Sequence, residues 1–401
     1  MMETIVRDIF TRRMMQKGSI MPELLQYTHD HNQFRERLRF FLQKELQPYG
    51  RQWEQSKIVP RSAWKKMGEE GFLCTGVAKE YGGLGGDFLY SVIVIEELSG
   101  ISESGLAAPL HSDIIVPYIN SYGTEDQKRK YLPGCVSGDI ITAVAMSEPD
   151  AGSDLASMQT TAVADGDMVV INGSKTFISN GINADLAIVA ARDPLVENPH
   201  QAISLYLVES GTPGFEKGRQ LDKMGLRSQD TAELFFNNCR IPAANRLGEK
   251  GFGFIMLMEK LQQERLVCAI MGIAAAETIL KHTLDFFSVK KRAGDPAARS
   301  QAVQFALVEM AAEVKIGRTF LDKLIADHME GQQVVIETSM AKYWTTDLAR
   351  KTAETALNLI GEFGTLEQCP VAKDFRDVRV MSIFAGTNEI MKGIVAKFMG
   401  L

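Results

Sequence analysis

The hydrophobic period of this chain changes twice along its length, and that change limits the possible folds more than any other feature. From Asn32 to about Gly138 apolar residues recur at three- and four-residue steps. Phe34, Leu38, Phe41, Leu42 and Leu46 mark one face and Arg and Glu the other, the pattern of an amphipathic helix. At Ile141 the period shortens. ITAVAM is a β-branched run, and TTAVADGDMVVINGSKTFISNG reads as strands separated by Asp-Gly and Asn-Gly turns. LAIVAAR (186–192), AISLYLVES (202–210) and AELFFNNCRIP (232–242) continue the strand pattern. After GEKGFGF the helical period returns, with Leu257, Leu261, Cys268, Met271 and Ala275 on one face. The order helical, β, helical excludes both the βαβ alternation of a doubly wound sheet and a repeat array. The expected class is therefore α+β. An N-terminal extension is expected over 1–20, an α domain over 21–140, a central β domain over 141–245 and a C-terminal α-helical domain over 246–401.

Length and charge narrow the function. A chain of 401 residues holds two or three domains at roughly 150 residues each. With 45% hydrophobic and 23% charged residues, neither long disorder nor a fibrous architecture fits. No run of eighteen apolar residues occurs, so no membrane span is expected. Acidic residues outnumber basic ones, 50 to 44, and the basic ones are scattered, so no nucleic-acid footprint is expected. The five cysteines lie far apart without a CxxC pair, which suits a reducing compartment. The histidines are also dispersed, apart from His29 and His31, so no metal site is expected. Residues 1–20 carry four basic and two acidic residues, a weak likeness to a mitochondrial presequence, and read better as a helical extension. The expected location is cytoplasmic, or the mitochondrial matrix in a eukaryote.

Three segments could carry chemistry. MSEPDAGSD (146–154) follows directly on a strand. Its small residues and hydroxyls could bring backbone N–H groups to a planar polar ligand, or could form a plain solvated loop. KTFISNG (175–181) places Phe177 and Ser179 on one face of a predicted strand, an aromatic wall beside a hydroxyl donor that suits one face and edge of a flavin ring. In LQQERLVCAIMGIAAAE, Glu264 falls on the apolar stripe. It is either an ion-paired core residue or a functional carboxyl with a raised pKa. Arg265 stands about 100° round the helix and need not neutralise it. The Gly-rich YGGLGG (81–86) has no preceding strand and no following GK[ST], so it reads as a turn between helices.

Together MSEPDAGSD, KTFISNG, KMGLRSQDTAELFF and RDVRVMSIFAGTNEIMK, in this order, resemble the signatures of the acyl-CoA dehydrogenase family from about residue 30 to the C-terminus. The resemblance implies an N-terminal α domain, a central β-barrel or sandwich domain and a C-terminal four-helix bundle. It also implies one FAD per chain, an electron acceptor such as electron-transfer flavoprotein, and a homotetramer or dimer in which a neighbouring copy helps to hold the flavin. Most members carry a Glu immediately before the Gly-Thr of the last motif, where this chain has Ala385. The long-chain and isovaleryl-CoA branches place the base on a C-terminal helix in a QER or LER context, matched here by Gln263-Glu264-Arg265.

By resemblance, then, Glu264 removes the α-proton of an acyl thioester and the backbone N–H of Ala385 stabilises the carbonyl oxygen. Met146, Ser147, Phe177, Ile178 and Ser179 would touch the flavin. Thr387, Asn388 and Glu389 would approach its phosphates and ribityl chain, and Ser153, Arg265 and Gly386 the substrate. Lys290, Gln301, Asn358 and Gly361 correspond to the part of the FAD site shared between subunits. Here the chain departs from the family. Lys290, Ala293 and Gly294 stand where an Arg and a Phe-Gly are usual, and Glu362 where a Gly lets the backbone approach a phosphate. Readings kept beside this one are an acyl-ACP dehydrogenase, a flavin oxidase or monooxygenase on the same fold, and a scaffold that has lost FAD.

Overall fold

The computed structural model describes residues 24–102 and 105–401, and the segment read as an N-terminal extension lies outside them. Thr28 opens the first described helix, α1 (His29–Phe41), with a capping box: its hydroxyl accepts from the His31 N–H while His31 Nδ1 accepts from the Thr28 N–H. The foreseen stripe is buried, with Leu38, Leu42 and Leu46 fully enclosed. The helix widens into a π turn over Leu42–Leu46. It is followed by α2 (Gly50–Ser56), α3 (Arg61–Glu69), α4 (Phe88–Gly100), α5 (Val116–Tyr122) and α6 (Glu125–Ser137). YGGLGG lies between α3 and α4, where Gly82 and Gly85 take left-handed φ of 87° and 63°.

The middle of the chain is one eight-stranded sheet: β1 (Thr142–Ala145), β2 (Thr161–Asp165), β3 (Met168–Ser179), β4 (Leu186–Arg192), β5 (Ile203–Glu209), β6 (Phe215–Gln220), β7 (Thr231–Pro242) and β8 (Arg246–Leu247). A single-turn helix, α7 (Pro199–Ala202), precedes β5. The strand order is β6-β7-β3-β2-β4-β5-β8, with β1 added in parallel to β4. Gly166 and Asp167 make the foreseen tight turn between β2 and β3, where Asp165 pairs with Met168. The foreseen Asn172-Gly173 turn is instead a bulge inside a twelve-residue strand. Gly173 packs so tightly on Thr160 that a Cβ would lie 2.5 Å from its hydroxyl, so the dipeptide serves a close approach and not a reversal. Strand β4 is buried on both faces. Leu186, Ile188 and Ala190 join the helical core, while Ala187, Val189 and Ala191 join the core of the β domain. That double burial explains why LAIVAAR is apolar throughout.

The C-terminal part consists of α8 (Gly253–Arg292), α9 (Gln301–Met329), α10 (Val335–Ile360), α11 (Pro370–Val378) and α12 (Asn388–Phe398). Helix α8 is the spine, packed on α4, α9, α10 and α11. It has the length and composition of a membrane span, yet most of its apolar window is buried inside the protein. Against α10 the backbones approach closely: a Cβ on Gly272 would lie 3.0 Å from the carbonyl carbon of Thr345. The apolar stripe foreseen for α8 is too narrow, because Glu264 to Ile270 are buried on every side. Arg318 of α9 joins Glu96 of α4 and Glu277 of α8 at 2.8 and 2.6 Å, which ties the N-terminal helices to the bundle.

Candidate active site

A cavity of about 260 Å³ lies where the three parts of the chain meet. Its apolar wall includes Ile95 and Leu98 of α4, Leu106, Leu110 and Ile114 of the following turn, and Met271 and Ala275 of α8. The β domain contributes Val144, Met146, Ser147, Phe177, Ile178 and Ser179, and the turn before α12 contributes Phe384 and Ala385. Segments separated by more than two hundred residues thus converge on one space, with Glu264 on its wall.

Glu264 is 4% exposed. Burial pushes its carboxyl up to about 7, opposed by the hydrogen bond from Tyr118 and by the charges of Arg265 and Lys260. The Tyr118 phenol donates to Glu264 Oε1 at 2.6 Å. Arg265 turns away: its Nη1 donates to Ser339 Oγ at 3.1 Å and its Nε is buried without a partner. Of the two readings open for Glu264, a carboxyl held in an apolar pocket describes this geometry and an ion-paired core residue does not.

The two β-domain segments are locked together by a pair that sequence reasoning missed. Lys175 Nζ donates to Glu148 Oε1 at 2.8 Å and to the Met146 carbonyl at 3.1 Å. Both side chains are buried, and Glu148 also accepts from the N–H groups of Gln159 and Thr160. Desolvation lowers the Lys175 pKa, while the charge and hydrogen bond of Glu148 oppose that fall. The Thr176 N–H donates to the Ser147 carbonyl at 2.9 Å, so MSEPDAGSD and KTFISNG form one rigid edge of the cavity. At that edge simple strand alternation fails. The β3–β7 register shifts between Lys175 and Ile178, and Phe177 sits there with a left-handed φ of 57° and is 70% exposed. Such a conformation costs a non-glycine residue on the order of 1–2 kcal/mol. It presents the ring beside the Ser147 and Ser179 edge of the cavity.

Ala385 has a φ of 51° and Gly386 of 88°, a double left-handed turn. Thr387 caps α12 by accepting from the Ile390 N–H. Asn388 is buried and its amide is occupied within the protein, donating to the Tyr343 carbonyl and to Thr346 Oγ1 and accepting from Lys342. The side-chain amide of Asn388, expected at the cofactor, is thus taken up within the protein. Gly386 and Arg265 lie outside the cavity wall, and Ser153 and Glu389 are exposed. Lys290, Gln301, Asn358 and Gly361 are exposed near helix ends and none of them lines the cavity of their own chain. Along α8 alone, Lys290 stands about 39 Å from Glu264 at 1.5 Å per residue. Lys290 is also ion-paired with Asp295 at 3.0 Å. Besides Glu148, sequence reasoning passed over Tyr118 and Lys342. Only their polarity in otherwise buried helical stretches offered a signal.

Profiles for the acyl-CoA dehydrogenase N-terminal, middle and C-terminal domains match residues 28–139, 143–239 and 251–400. The long-chain specific mitochondrial acyl-CoA dehydrogenase of Rattus norvegicus is 41% identical over 92% of this chain and 86% of its own length. An acyl-CoA dehydrogenase of Bacillus subtilis is 35% identical over 93% and 98%. The crystal structure of acyl-CoA dehydrogenase from Geobacillus kaustophilus superimposes with a TM-score of 0.91 at 52% identity, covering 94% of this chain and 99% of that one. Fold and cavity together define a flavoprotein oxidoreductase built as helices, sheet and helices around a central apolar site. The chain belongs to the acyl-CoA dehydrogenase family, and it is an enzyme of fatty acid metabolism.

Proposed function

We propose that this enzyme dehydrogenates an acyl-CoA thioester to the trans-2-enoyl-CoA, with Glu264 as general base. The single observation that carries the reading is Glu264 itself, a buried carboxyl titrating near neutrality on the wall of an apolar cavity. At that value it is partly ionised at pH 7 and strong enough to take the α-proton once water is excluded. Ala385 contributes a backbone N–H on the same cavity as the donor for the thioester oxygen. The last motif has no carboxylate immediately before its Gly-Thr, where Ala385 replaces the usual Glu.

The residues present fit FAD. Phe177 offers an exposed ring at a strained bulge, and Met146, Ser147, Ile178 and Ser179 form the edge beside it, a wall and a polar rim matched to a flat heterocycle. Bound there, FAD supplies the acceptor for the hydride that leaves the β-carbon. Because Lys290, Gln301, Asn358 and Gly361 are exposed and line no part of their own cavity, they would serve the FAD of a neighbouring copy, so a homotetramer or dimer is part of the proposal. Electron-transfer flavoprotein is the proposed acceptor.

Anaerobic bleaching of the purified flavoprotein by a panel of acyl-CoAs and acyl-ACPs tests the reading. Bleaching by acyl-CoAs with formation of the 2-enoyl thioester is expected, fastest with long chains by likeness to the rat relative. Bleaching by acyl-ACP alone would make the enzyme a carrier-protein dehydrogenase. Hydrogen peroxide formed stoichiometrically in air would make it an oxidase, and no bleaching by any thioester would overturn the proposal.

A further inference from the structure

Lys342 is fully buried in α10, and among the described residues no carboxylate pairs with it. Its Nζ donates to the Gly386 carbonyl at 2.6 Å and to Asn388 Oδ1 at 3.0 Å. Arg265, equally enclosed on α8, finds only the Ser339 hydroxyl. Two cations are thus buried without an ion pair among the described residues: Glu264 acts on Arg265 by its charge, and Asp347 and Glu389 act on Lys342. Burying an ammonium without a counter-ion is costly, and neutral donors could close a turn at less expense. The cost has a rationale if a negative charge appears nearby during the reaction. When Glu264 takes a proton its own charge vanishes, Arg265 loses that compensation, and the substrate's carbonyl oxygen gains charge.

We propose that Lys342 is a positioning residue for the thioester-oxygen site, holding the Ala385–Gly386 turn by the Gly386 carbonyl and setting a fixed positive charge behind it. The inference rests on the dehydrogenase reading above. The geometry gives it a short path. The carbonyl that Lys342 grips lies two peptide planes from the Ala385 N–H, inside a turn whose two left-handed residues need external support. Asn388 braces the same ammonium from the other side and is itself tied to Tyr343 and Thr346. A fixed cation in a dry site acts on developing charge without reorganising, which is how preorganised donors favour an enolate. Burial lowers the pKa of Lys342. Cys268, Asp347 and Glu389 oppose that fall and Arg265 adds to it.

The test uses the FAD-loaded enzyme and a 3-thiaacyl-CoA. Sulfur in place of the β-carbon acidifies the α-protons and leaves no β-hydride, so only proton removal is read, as the pH at which half the bound analogue is ionised. In Lys342→Met this pH should rise by at least about one unit, a tenfold loss of acidity. Lys342→Arg, which keeps the charge, should restore most of it. Lys342→Gln keeps a donor for Gly386 without the charge and should still show a raised pH, by less than Met does; it decides the question if the Met variant fails to fold. Wild-type ionisation in the Met or Gln variant would overturn the assignment while the dehydrogenase reading stands. A wild-type protein that never ionises the analogue would overturn both.

Discussion

Tyr118 of α5 and Glu264 of α8 share a 2.6 Å hydrogen bond across the boundary between the N-terminal and C-terminal helical parts, and both are buried. The phenol favours the ionised carboxyl and so works against the burial that pushes Glu264 up to about 7. Arg265 and Lys260 pull in the same direction from α8. Cys268 lies on the same helix, with Lys342 of α10 near it, while the Tyr122 hydroxyl is turned to Glu259. The proposed base must be deprotonated to act, so this one hydrogen bond bears on the pH range of the proposed reaction.

Tyr118→Phe should therefore raise the Glu264 pKa. The acid limb of the kcat/KM profile moves to higher pH, activity at pH 7 falls severalfold, and it recovers towards pH 9. One pH unit of displacement corresponds to about 1.4 kcal/mol. Steady-state assays across pH check it; a uniform loss at every pH would show that Tyr118 only supports the fold.

Glu264→Gln preserves volume and removes the proton acceptor. Flavin content should stay unchanged while anaerobic bleaching by acyl-CoA slows by roughly 10² to 10⁴. Ala385→Glu in that background should recover part of the rate, limited by the fit of a long side chain where a methyl now sits. Full activity in Glu264→Gln alone would exclude it as the base.

The same substitution has a stability consequence. A carboxyl whose folded pKa lies at about 7, above its ordinary 4.5, binds its proton more tightly in the folded state. That contribution is complete below about pH 4.5 and is lost as pH rises through 7. Thermal unfolding should find Glu264→Gln more stable than wild type at pH 8, by about 1–3 kcal/mol, with the gap closing near pH 4. A constant difference across pH would contradict the buried, near-neutral carboxyl.

Lys175→Met leaves Glu148 ionised, buried and short of its cation, and should cost about 3 kcal/mol with loss of flavin. Lys175→Met with Glu148→Leu removes both charges and should be markedly milder in unfolding and flavin-retention measurements. Equal damage from the single and double variants would mean that the pair does not hold the two segments together.

At the proposed shared interface, Glu362→Gly should tighten FAD by about fivefold, near 1 kcal/mol, because a like charge beside a phosphate is removed. Equilibrium dialysis of FAD against the apoprotein measures it. Unchanged or weaker binding would show that Glu362, which is exposed here, does not face the cofactor.

Sequence reading reached the helical, β, helical order because burial imprints a period of 3.6 or 2 on local composition. It reached Met146, Ser147, Phe177, Ser179 and Ala385 because short motifs keep their residues adjacent in the chain. It went wrong where the period bends. Asn172-Gly173 has the composition of a turn but lies in a strand, since Thr160 leaves no room for a side chain there. Phe177 shares the cavity with Ser179 through a bulge and not through plain alternation.

The sequence alone therefore determined the order of the parts, the segments that meet the cavity and the two possibilities for Glu264. Tertiary packing decided that Glu264 is a buried carboxyl with a raised pKa and not an ion-paired core residue. Asp113 is also a buried carboxyl pushed up to about 7, yet its Oδ1 accepts from Ser91 and it lines a different cavity. The local QER context marks Glu264 by family resemblance but does not give the raised pKa that both acids share, because a side chain's pKa depends on every group within a few ångströms and not on its chain neighbours. Tyr118 stands 146 residues from Glu264 and Lys342 stands 44 from Gly386, and only the packing of α5, α8 and α10 brings each to its partner.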